Sequence, residues 1–589
     1  MTLGRTQRSG IPVSPGIAIG PAYVLRRERI VIPEHLIAPE QADGEVERLR
    51  NAFGETRRKL EEIRRGMHGT GLVGTIFDAQ FLFLEDPTLI VPAEANIREH
   101  GLNAEWAVER EWRRLEQVFE SMHDPYIRER ANDIGFVVRR VLEALMGREP
   151  QGLSNAPPGV IVVAEDLSPG EVAQVTRGRV AGFLTETGSR TSHVTIMARS
   201  LGIPAVVGVG DELARELPDG VMLILDGRTG SVIVDPDATT IAEYRKRIAD
   251  LLVVSRELLR YVDLPAETKD GVAMRLLANV DQIDEAREAL RYGAEGIGLY
   301  RTEFLFLNRH DLPDEDEQRA AYAEIIEAVA PHGATIRTLD LGGEKVPTGL
   351  DLSEEPNPAL GLRGVRMSRS RPDVFRTQLR ALLRASASGR LKILLPMVSS
   401  QAEVEFARET LERAKAELES EGVPFDRDVP LGVMIETPAA AMIADLIAPL
   451  ADFLSIGTND LVQYTLAVDR SNEHVAYLYE PLHPAHLRMI QRIGQAARRA
   501  GIVVGMCGEM AGEPMHCWVL LALGIGELSM APFAIPLLKR ILRDSTAAEA
   551  RDLLAEVLRL GSAQEIRRVV EDRMRERFPL AFERSALQG

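Results

Sequence analysis

The sequence predicts an α/β protein: a small α/β domain with an inserted all-α helical bundle, followed by a C-terminal (β/α)8 barrel. Three observations support this fold class. Helical periodicity fills residues 38–148, strand-like runs flank that stretch, and beyond residue 263 apolar strand candidates alternate with helix-compatible segments. The 589 residues allow about three or four domains, at roughly 150 residues each.

The composition is that of a globular protein with an acidic balance. Apolar residues make up 45% and charged residues 27%, which excludes a disordered, collagen-like or coiled-coil chain. The 70 basic and 88 acidic residues give a net charge of −18. A general nucleic-acid binder needs a basic face, so we expect no nucleic-acid partner.

Cysteine usage and hydropathy predict a cytoplasmic protein with no membrane partner. The chain has two cysteines, Cys507 and Cys517, too few for a disulfide framework and typical of a reducing compartment. The longest apolar run lies at residues 518–523, far short of the roughly 20 residues of a membrane helix. No signal-peptide pattern follows the first basic residues.

The elements of the first half follow from glycine, proline and apolar spacing. Residues 10–25 are rich in glycine, proline and β-branched residues and predict short strands. Apolar residues at three- and four-residue spacing then predict amphipathic helices, over Val46–Met67, Val108–Met122 and Ile127–Leu145, with a fourth around Ile76–Leu84. These helices predict a bundle of short-looped hairpins.

Strand-like runs return after a polar break at residues 151–159. They lie at Val160–Ala164, Val180–Thr185, Val221–Leu225 and Ser231–Val234. The simplest interpretation is one α/β domain interrupted by the bundle. We therefore expect an α/β domain (1–25 with 149–236), an inserted bundle (26–148), a charged helical linker (237–262) and a barrel (263–589).

Eight strand-then-helix units in the second half predict the barrel. The strand candidates are Val272–Asn279, Gly296–Tyr300, Thr335–Leu339, Lys392–Met397, Gly432–Ile435, Phe453–Ile456, Val503–Met506 and Leu528–Met530. A doubly wound sheet is the alternative. That fold usually shows a glycine fingerprint after its first strand, and the sequence has none there.

Polar residues follow the strand candidates, at the end of a barrel that carries function. Glu436 and Asp460 are hard oxygen ligands, suited to Mg²⁺ or Mn²⁺. Four arginines in or near these segments suit bidentate binding of phosphate or carboxylate: Arg301, Arg337, Arg363 and Arg470. The pattern indicates a metal-and-arginine site for a small phosphorylated anion.

His193 is the candidate nucleophile of the first half. It follows a strand ending at Thr185 and a Gly/Ser loop, where Thr191 or Ser192 can cap a helix. Backbone N–H groups in the first helical turn favour an anion and the neutral, nucleophilic imidazole. A plain capping or loop role is the alternative on the motif alone.

Five segments resemble one known family. They are Gly188–His193, Gly298–Phe304, Ile435–Ala440, Ser455–Leu461 and Gly505–Glu509. Together with the opening Gly10–Gly16, they are similar to enzyme I of the phosphoenolpyruvate:sugar phosphotransferase system, over nearly the whole chain and in the same domain order.

The resemblance implies a phosphoenolpyruvate–protein phosphotransferase in which His193 is the phosphorylated nucleophile. It implies that Arg301 and Arg337 bind phosphate and that Glu436 and Asp460 hold Mg²⁺, with Mn²⁺ as the other candidate cation. It implies further substrate contacts by Arg363, Asn459 and Arg470. Cys507 would be the acid that turns enolpyruvate into pyruvate, although a buried packing role is commoner for free cysteine.

The resemblance also implies partners. The bundle would dock the phosphocarrier protein HPr, the barrel half would form a homodimer, and the linker would be the hinge between the histidine and the barrel. Three departures bear on this: Ser189 replaces a glycine, Val194 replaces a hydroxyl residue, and residues 78–81 differ in the docking region. They affect phosphohistidine stability, loop motion and carrier identity.

Two alternatives remain open on the sequence. A pyruvate phosphate dikinase or phosphoenolpyruvate synthase needs an added ATP-binding domain, and no glycine-rich nucleotide loop precedes the histidine segment. A non-catalytic phosphoprotein scaffold would not need Arg301, Glu436, Asp460 and Cys507 together.

Overall fold

A computed structural model gives the fold. It describes the chain except for residues 1–5, 27–30, 67–79, 82, 85–86, 122–124, 149–152, 154–155, 173–174, 176–178, 189–192, 211–212, 307–310, 342–354, 356, 471, 473, 580–581 and 583–589. The described chain forms two compact units, one extending to Leu252 and the other beginning at Val253.

An eight-stranded sheet forms the α/β part of the first unit, in the order β1-β8-β7-β3-β4-β5-β6-β2. Its strands are β1 (Thr6–Ser9), β2 (Ile11–Ser14), β3 (Ile17–Leu25), β4 (Val160–Ala164), β5 (Val180–Thr185), β6 (Ala205–Val207), β7 (Met222–Asp226) and β8 (Ser231–Val234). Strands β3 to β6 run parallel, and the remaining pairs are antiparallel. The β-branched runs are buried within this sheet, as the apolar pattern predicts.

Four long helices lie between β3 and β4: α1 (Ala42–Gly66), α2 (Pro87–His100), α3 (Ala104–Ser121) and α4 (Pro125–Leu145). They bury an apolar core of their own, distinct from the two cores of the sheet. The sequence prediction missed α2, whose interior Pro92 argues against a helix. The signal was the spacing of its buried residues, Leu89, Ala93 and Ile97. Most of the predicted helix at 76–84 lies outside the described residues.

The rest of the first unit is built from short helices and a long terminal one. The helices are α5 (Pro169–Val172), α6 (His193–Leu201), α7 (Leu213–Glu216) and α8 (Ala238–Leu258). Helix α8 covers most of the predicted linker, and the division between the two units falls within it.

The second unit contains a closed barrel of eight parallel strands, which confirms the predicted fold class. The strands are β9 (Arg275–Val280), β10 (Ile297–Tyr300), β11 (Gly333–Arg337), β12 (Arg390–Leu395), β13 (Leu431–Ile435), β14 (Phe453–Ile456), β15 (Val503–Met506) and β16 (Glu527–Met530). The barrel closes where β16 pairs with β9. Strand β11 lies two residues earlier than predicted, so Thr338 and Leu339 follow the strand instead of ending it.

Helices surround the barrel strands and form one large apolar core with them. They are α9 (Ile283–Arg291), α10 (Glu315–Ala328), α11 (Val365–Ser370), α12 (Pro372–Ala385), α13 (Gln401–Glu421), α14 (Pro438–Met442), α15 (Ala444–Ile447), α16 (Thr458–Leu466), α17 (Pro484–Ala500), α18 (Cys517–Leu523), α19 (Ile535–Asp544), α20 (Ala547–Val557) and α21 (Ala563–Arg577). Inside the barrel a small cluster packs together: Leu299, Leu394, Met434, Phe453 and Cys507.

Candidate active site

The carboxyl ends of the barrel strands bring most of the predicted site residues to one face. Arg301 follows β10, Arg337 ends β11, Glu436 follows β13 and Cys507 follows β15. Helix α16 begins directly after β14 and carries Asn459 and Asp460 in its first turn. Parallel strands that close into a barrel place all of these positions at the same end.

Arg337 lies in a buried ion-pair cluster. Its Nη2 donates to Glu303 Oε1 at 3.0 Å, and its Nη1 lies 3.2 Å from Asp340 Oδ2. Burial alone lowers the pKa of Arg337, but the charges of Glu303 and Asp340 outweigh it and raise the pKa above its ordinary value. Its buried Nε has no partner in the described part of the chain. The guanidinium is therefore fixed, charged and left with a free donor.

Arg363 joins this cluster from the segment before α11. Its Nε and Nη2 donate to the two oxygens of Asp340 at 3.0 and 2.7 Å, a bidentate pair. Its Nη2 also lies 3.1 Å from Asp460 Oδ2. The structure thus places Arg337, Arg363 and Asp460 in one continuous charged network through Asp340.

Arg301 lies at the more open side of the site. Its Nη1 is 3.3 Å from Asp281 Oδ1, and 40% of its side chain is exposed. A long, partly exposed ion pair is weak and readily exchanged. Arg301 can therefore release Asp281 for an incoming anion at small cost.

Glu436 is buried beside the charged network. Its Oε1 accepts a hydrogen bond from the Met397 backbone N–H at 2.6 Å. Met397 has φ +58°, a strained left-handed backbone that aims this N–H group at the carboxylate. Burial, together with the charges of Asp340 and Asp460, raises the pKa of Glu436 to about 8. A cation close to this carboxylate would lower its pKa again.

The residues around Glu436 fit a hard divalent cation. Glu436 and Asp460 supply carboxylate oxygens, the ligands that Mg²⁺ and Mn²⁺ prefer. The buried hydroxyl of Thr458, two residues before Asp460, has no hydrogen-bond partner among the described residues. The described chain has no group of three or more His, Cys, Asp or Glu residues arranged to hold a metal. Substrate or solvent oxygens would complete the coordination, as is usual for Mg²⁺.

Asn459 and Arg470 share one partner, Glu509. The Asn459 amide donates to Glu509 Oε1 at 3.2 Å and accepts from the Glu509 backbone N–H at 2.8 Å. Arg470 Nη1 lies 3.3 Å from the same Glu509 oxygen. This exposed triad ties the segments after β14 and β15 together, next to Asp460.

Cys507 is buried in the apolar cluster inside the barrel. The Ser455 hydroxyl donates to its Sγ at 3.3 Å, and its backbone N–H donates to the Ile456 carbonyl. Burial raises the pKa of the Cys507 thiol to about 11. The thiol therefore remains protonated at neutral pH, as an acid must be.

Cys517 is placed quite differently. It begins α18, is fully buried in the barrel core and makes apolar contacts there. Burial raises its pKa to about 12. The packing interpretation of Cys517 agrees with this position.

His193 is the first residue of α6, in the first unit. The adjacent Val194 is buried in the sheet core, and Gly188 has φ +125°, a conformation that favours glycine. The predicted caps Thr191 and Ser192 lie outside the described residues, as does Ser189. The position at a helix N-terminus is the one the sequence predicts for His193.

The sequence interpretation assigned no role to Asp340 and left Glu303 outside the site. Both are buried, and both contact Arg337. The available signal was position, because both lie in the polar segments that follow strands. Spacing does not reveal the network, because Glu303 is 34 positions from Arg337 and Asp340 is 23 positions from Arg363.

Comparisons with known proteins match most of the chain, in both units. A family model described as the N-terminal part of PEP-utilising enzymes matches residues 9–130. The mobile domain of PEP-utilising enzymes matches residues 156–230, and their PEP-binding domain matches residues 255–547. The PEP-binding match covers the barrel face with the arginine and carboxylate network.

Relatives similar over nearly the full length of the chain share one name. Phosphoenolpyruvate-protein phosphotransferase of Priestia megaterium is 41% identical over 95% of this chain and 97% of its own. The proteins of that name from Geobacillus stearothermophilus and Bacillus subtilis are 43% and 41% identical, over 95% of this chain and 96% and 98% of theirs.

The barrel site and the three matched domains define a PEP-utilising enzyme. Within that class, the chain belongs to the phosphoenolpyruvate-protein phosphotransferase family and is a transferase. In the described part of the chain, no helix combines the length and apolar character needed to cross a membrane.

Proposed function

We propose that this enzyme transfers the phosphoryl group of phosphoenolpyruvate to His193, releases pyruvate, and then passes the group to a histidine of the carrier protein HPr. This would be the first step of a sugar phosphotransferase system in the cytoplasm. One observation carries the proposal: fixed arginines, a pair of carboxylates and a protonated thiol occupy one end of the barrel.

Binding of phosphoenolpyruvate uses the cationic side of this site. Arg301 and Arg337 bind the phosphate, and Arg363 adds a further cationic contact. Asn459 and Arg470 bind the remaining substrate oxygens and would exchange their present contacts with Glu509. Fixed guanidiniums suit this step because phosphoryl transfer depends on positioning and charge stabilisation.

Glu436 and Asp460 would hold Mg²⁺, with Mn²⁺ as the alternative. A bound divalent cation neutralises charge that develops on phosphate and enolate oxygens. Glu436 is kept in place by the Met397 N–H group. Asp460 would give up part of its contact with Arg363.

In the transfer itself, an imidazole nitrogen of His193 forms the N–P bond as the P–O bond of phosphoenolpyruvate breaks. The enolate that leaves takes a proton on its methylene carbon from the Cys507 thiol and becomes pyruvate. Solvent restores the thiol. The phosphohistidine then donates its phosphoryl group to HPr. We propose that HPr docks on the helical bundle of residues 26–148.

The domain roles follow from this cycle. Residues 1–25 and 149–236 would form the phosphohistidine domain, residues 237–262 the linker, and residues 263–589 the substrate-binding and dimerisation domain. Since the histidine must meet both phosphoenolpyruvate and HPr, we expect the linker to act as a hinge. Homodimers through the barrel half would agree with this assignment.

Labelled phosphoenolpyruvate tests the proposal. With Mg²⁺, the wild type should gain one acid-labile phosphate per chain and pass it to HPr. His193→Gln should gain none, while the control His474→Gln, at an exposed histidine, should label normally. A chelator should block labelling by phosphoenolpyruvate but not transfer from prepared phosphoprotein to HPr. Label persisting in His193→Gln, or label taken from ATP without phosphoenolpyruvate, would contradict the proposal.

A further inference from the structure

The Asp340 carboxylate is the centre of the charged network at the barrel face. Its Oδ2 lies 2.7 Å from Arg363 Nη2 and 3.2 Å from Arg337 Nη1, so one oxygen is shared by two guanidiniums. Its Oδ1 accepts a second bond from Arg363 Nε at 3.0 Å. The side chain is fully buried, so no solvent competes for these bonds.

The main chain of Asp340 is held as firmly as its side chain. Its backbone N–H donates to Glu303 Oε1 at 2.9 Å, the oxygen that also accepts from Arg337. Glu303 and Asp340 therefore hold Arg337 between them. Each of the three groups is fixed by the other two.

The carboxylate also separates two like charges. Arg337 and Arg363 repel each other, and their repulsion opposes the raised pKa of Arg337. Burial raises the pKa of Asp340, but the charges of the two guanidiniums outweigh it and hold that pKa below its ordinary value. The carboxylate is thus ionised, and it keeps the two arginines at a set spacing.

We propose that Asp340 is a positioning residue that sets the spacing of Arg337 and Arg363 for the phosphate group of phosphoenolpyruvate. The inference rests on the proposed function and adds a residue to it. Arg337 keeps a buried Nε donor without a partner among the described residues, and this donor is available to an anion. Asp340 itself acts only through the arginines.

Two ligands separate positioning from general support of the fold. Phosphoenolpyruvate carries a phosphate, whereas oxalate binds through carboxylates and the cation and has no phosphate. Loss of the arginine spacing should weaken the binding of phosphoenolpyruvate selectively. Loss of the fold should weaken the binding of both ligands alike.

The test compares Asp340→Asn with its parent by calorimetric titration with Mg²⁺ present. Both proteins carry His193→Gln, because an enzyme that accepts no phosphoryl group binds phosphoenolpyruvate without consuming it. We expect affinity for phosphoenolpyruvate to fall about 10- to 100-fold, the range typical of lost supporting contacts, and affinity for oxalate to change less than about threefold. Asp373→Asn is the matched control, because Asp373 forms a similar pair with Arg371 at the surface. It should leave both affinities unchanged.

A second variant is needed in case Asp340→Asn does not fold, since removing one partner of a buried ion pair can destabilise a protein. Glu303→Gln weakens the same network from its other side and should reproduce the selective loss, at about 3- to 10-fold. Unchanged phosphoenolpyruvate affinity in both variants, or equal losses for both ligands, would overturn the inference alone. A His193→Gln parent that binds no phosphoenolpyruvate would overturn the proposed function as well.

Discussion

Two cysteines in one barrel illustrate how position decides the role of a residue. Both thiols are buried, and burial raises both pKa values. Cys507 follows β15 at the site and accepts a hydrogen bond from Ser455, whereas Cys517 begins α18 and packs in the apolar core around the barrel. The proposed delivery of a proton to a ligand at the barrel face therefore falls to Cys507 and not to Cys517.

Cys507→Ala should therefore slow pyruvate formation from phosphoenolpyruvate by about 10²- to 10⁴-fold, the usual contribution of a general acid. Phosphoryl exchange between the phosphoprotein and HPr should change little, because that step needs no carbon protonation. The two half-reactions are measured separately, by coupled pyruvate detection and by label transfer. Cys517→Ala is the control, and equal losses in both half-reactions of Cys507→Ala would refute the acid role.

Among single residues, sequence spacing predicts some members of the site and not others. The placement of Glu436 and Asp460 at one end of the barrel could be predicted, because residues that follow parallel apolar strands share that end. Their role as metal ligands stays a prediction. Asp340 could not be predicted, because its partner Arg363 is 23 positions away and the next partner of Arg363 is 97 away. Only the folded barrel brings the charges of Asp340, Arg363 and Asp460 together.

Among the elements, the turns after β14 and β15 are in close contact. A Cβ atom at Gly508 would lie 1.9 Å from Thr458 Oγ1 and 2.7 Å from the Thr458 backbone nitrogen. Only glycine permits this approach, and it brings Cys507 beside the first turn of α16. The close contact therefore sets the distance between the thiol and the carboxylate of Asp460.

Gly508→Ala should push these two turns apart. We expect a stability loss of about 1–3 kcal/mol, the usual cost of overpacking, and a loss in kcat/KM for phosphoenolpyruvate of about 100-fold. Gly561→Ala is the matched control, because a Cβ there meets nothing within 4 Å. Kinetics and urea denaturation of both variants check this, and a Gly508→Ala enzyme with normal kcat/KM would contradict it.

Elements with strong apolar runs were predicted well, and weakly patterned ones were not. Strands β14 and β15 match their predicted bounds, since each is a short run that contains β-branched or aromatic residues. Strand β11 begins at Gly333, a poor strand former whose pairing with Arg390 decides its place. Helix α2 was missed because tertiary packing of Leu89 and Ile97 overrides its prolines.

At the scale of the whole molecule, the stability of the barrel unit should depend on the buried His486 and the half-buried His516. His486 Nδ1 contacts the Pro481 carbonyl at 2.7 Å, and its Nε2 has no partner among the described residues. Burial lowers the pKa of His486 and of His516 to about 4. The charge of His483 lowers the pKa of His486 further, and those of His486 and Arg567 lower the pKa of His516. Nearby charges include Arg567, which pairs with Glu480.

Both imidazoles are therefore neutral in the folded barrel, whereas the unfolded chain takes up protons near pH 6.5. The resulting stability is complete above pH 6.5 and is lost as the pH falls towards 4. The loss is on the order of 3 kcal/mol for each histidine.

Thiol labelling in urea measures this loss for the barrel alone, because both cysteines lie there and are buried. The urea midpoint should fall between pH 6.5 and 4. The fall should be smaller in His486→Asn, which keeps a donor near the position of Nδ1 but takes up no proton. His474→Asn, at an exposed position, should behave as wild type. Identical pH profiles for all three proteins would rule out the buried histidines as the cause.

The parallel pairing of β3 with β4 has a consequence for the topology of the chain. Leu25 lies opposite Ala164, so the chain leaves one strand at its carboxyl end and must return to the beginning of the next. The helical bundle is thus the crossover connection of a βαβ unit, and parallel neighbours need about a dozen residues or more for such a crossover. A tight turn cannot replace it. Any shortened version of this protein must keep a bridge along the full length of the strand, which makes the bundle a structural link within the sheet as well as a separate module.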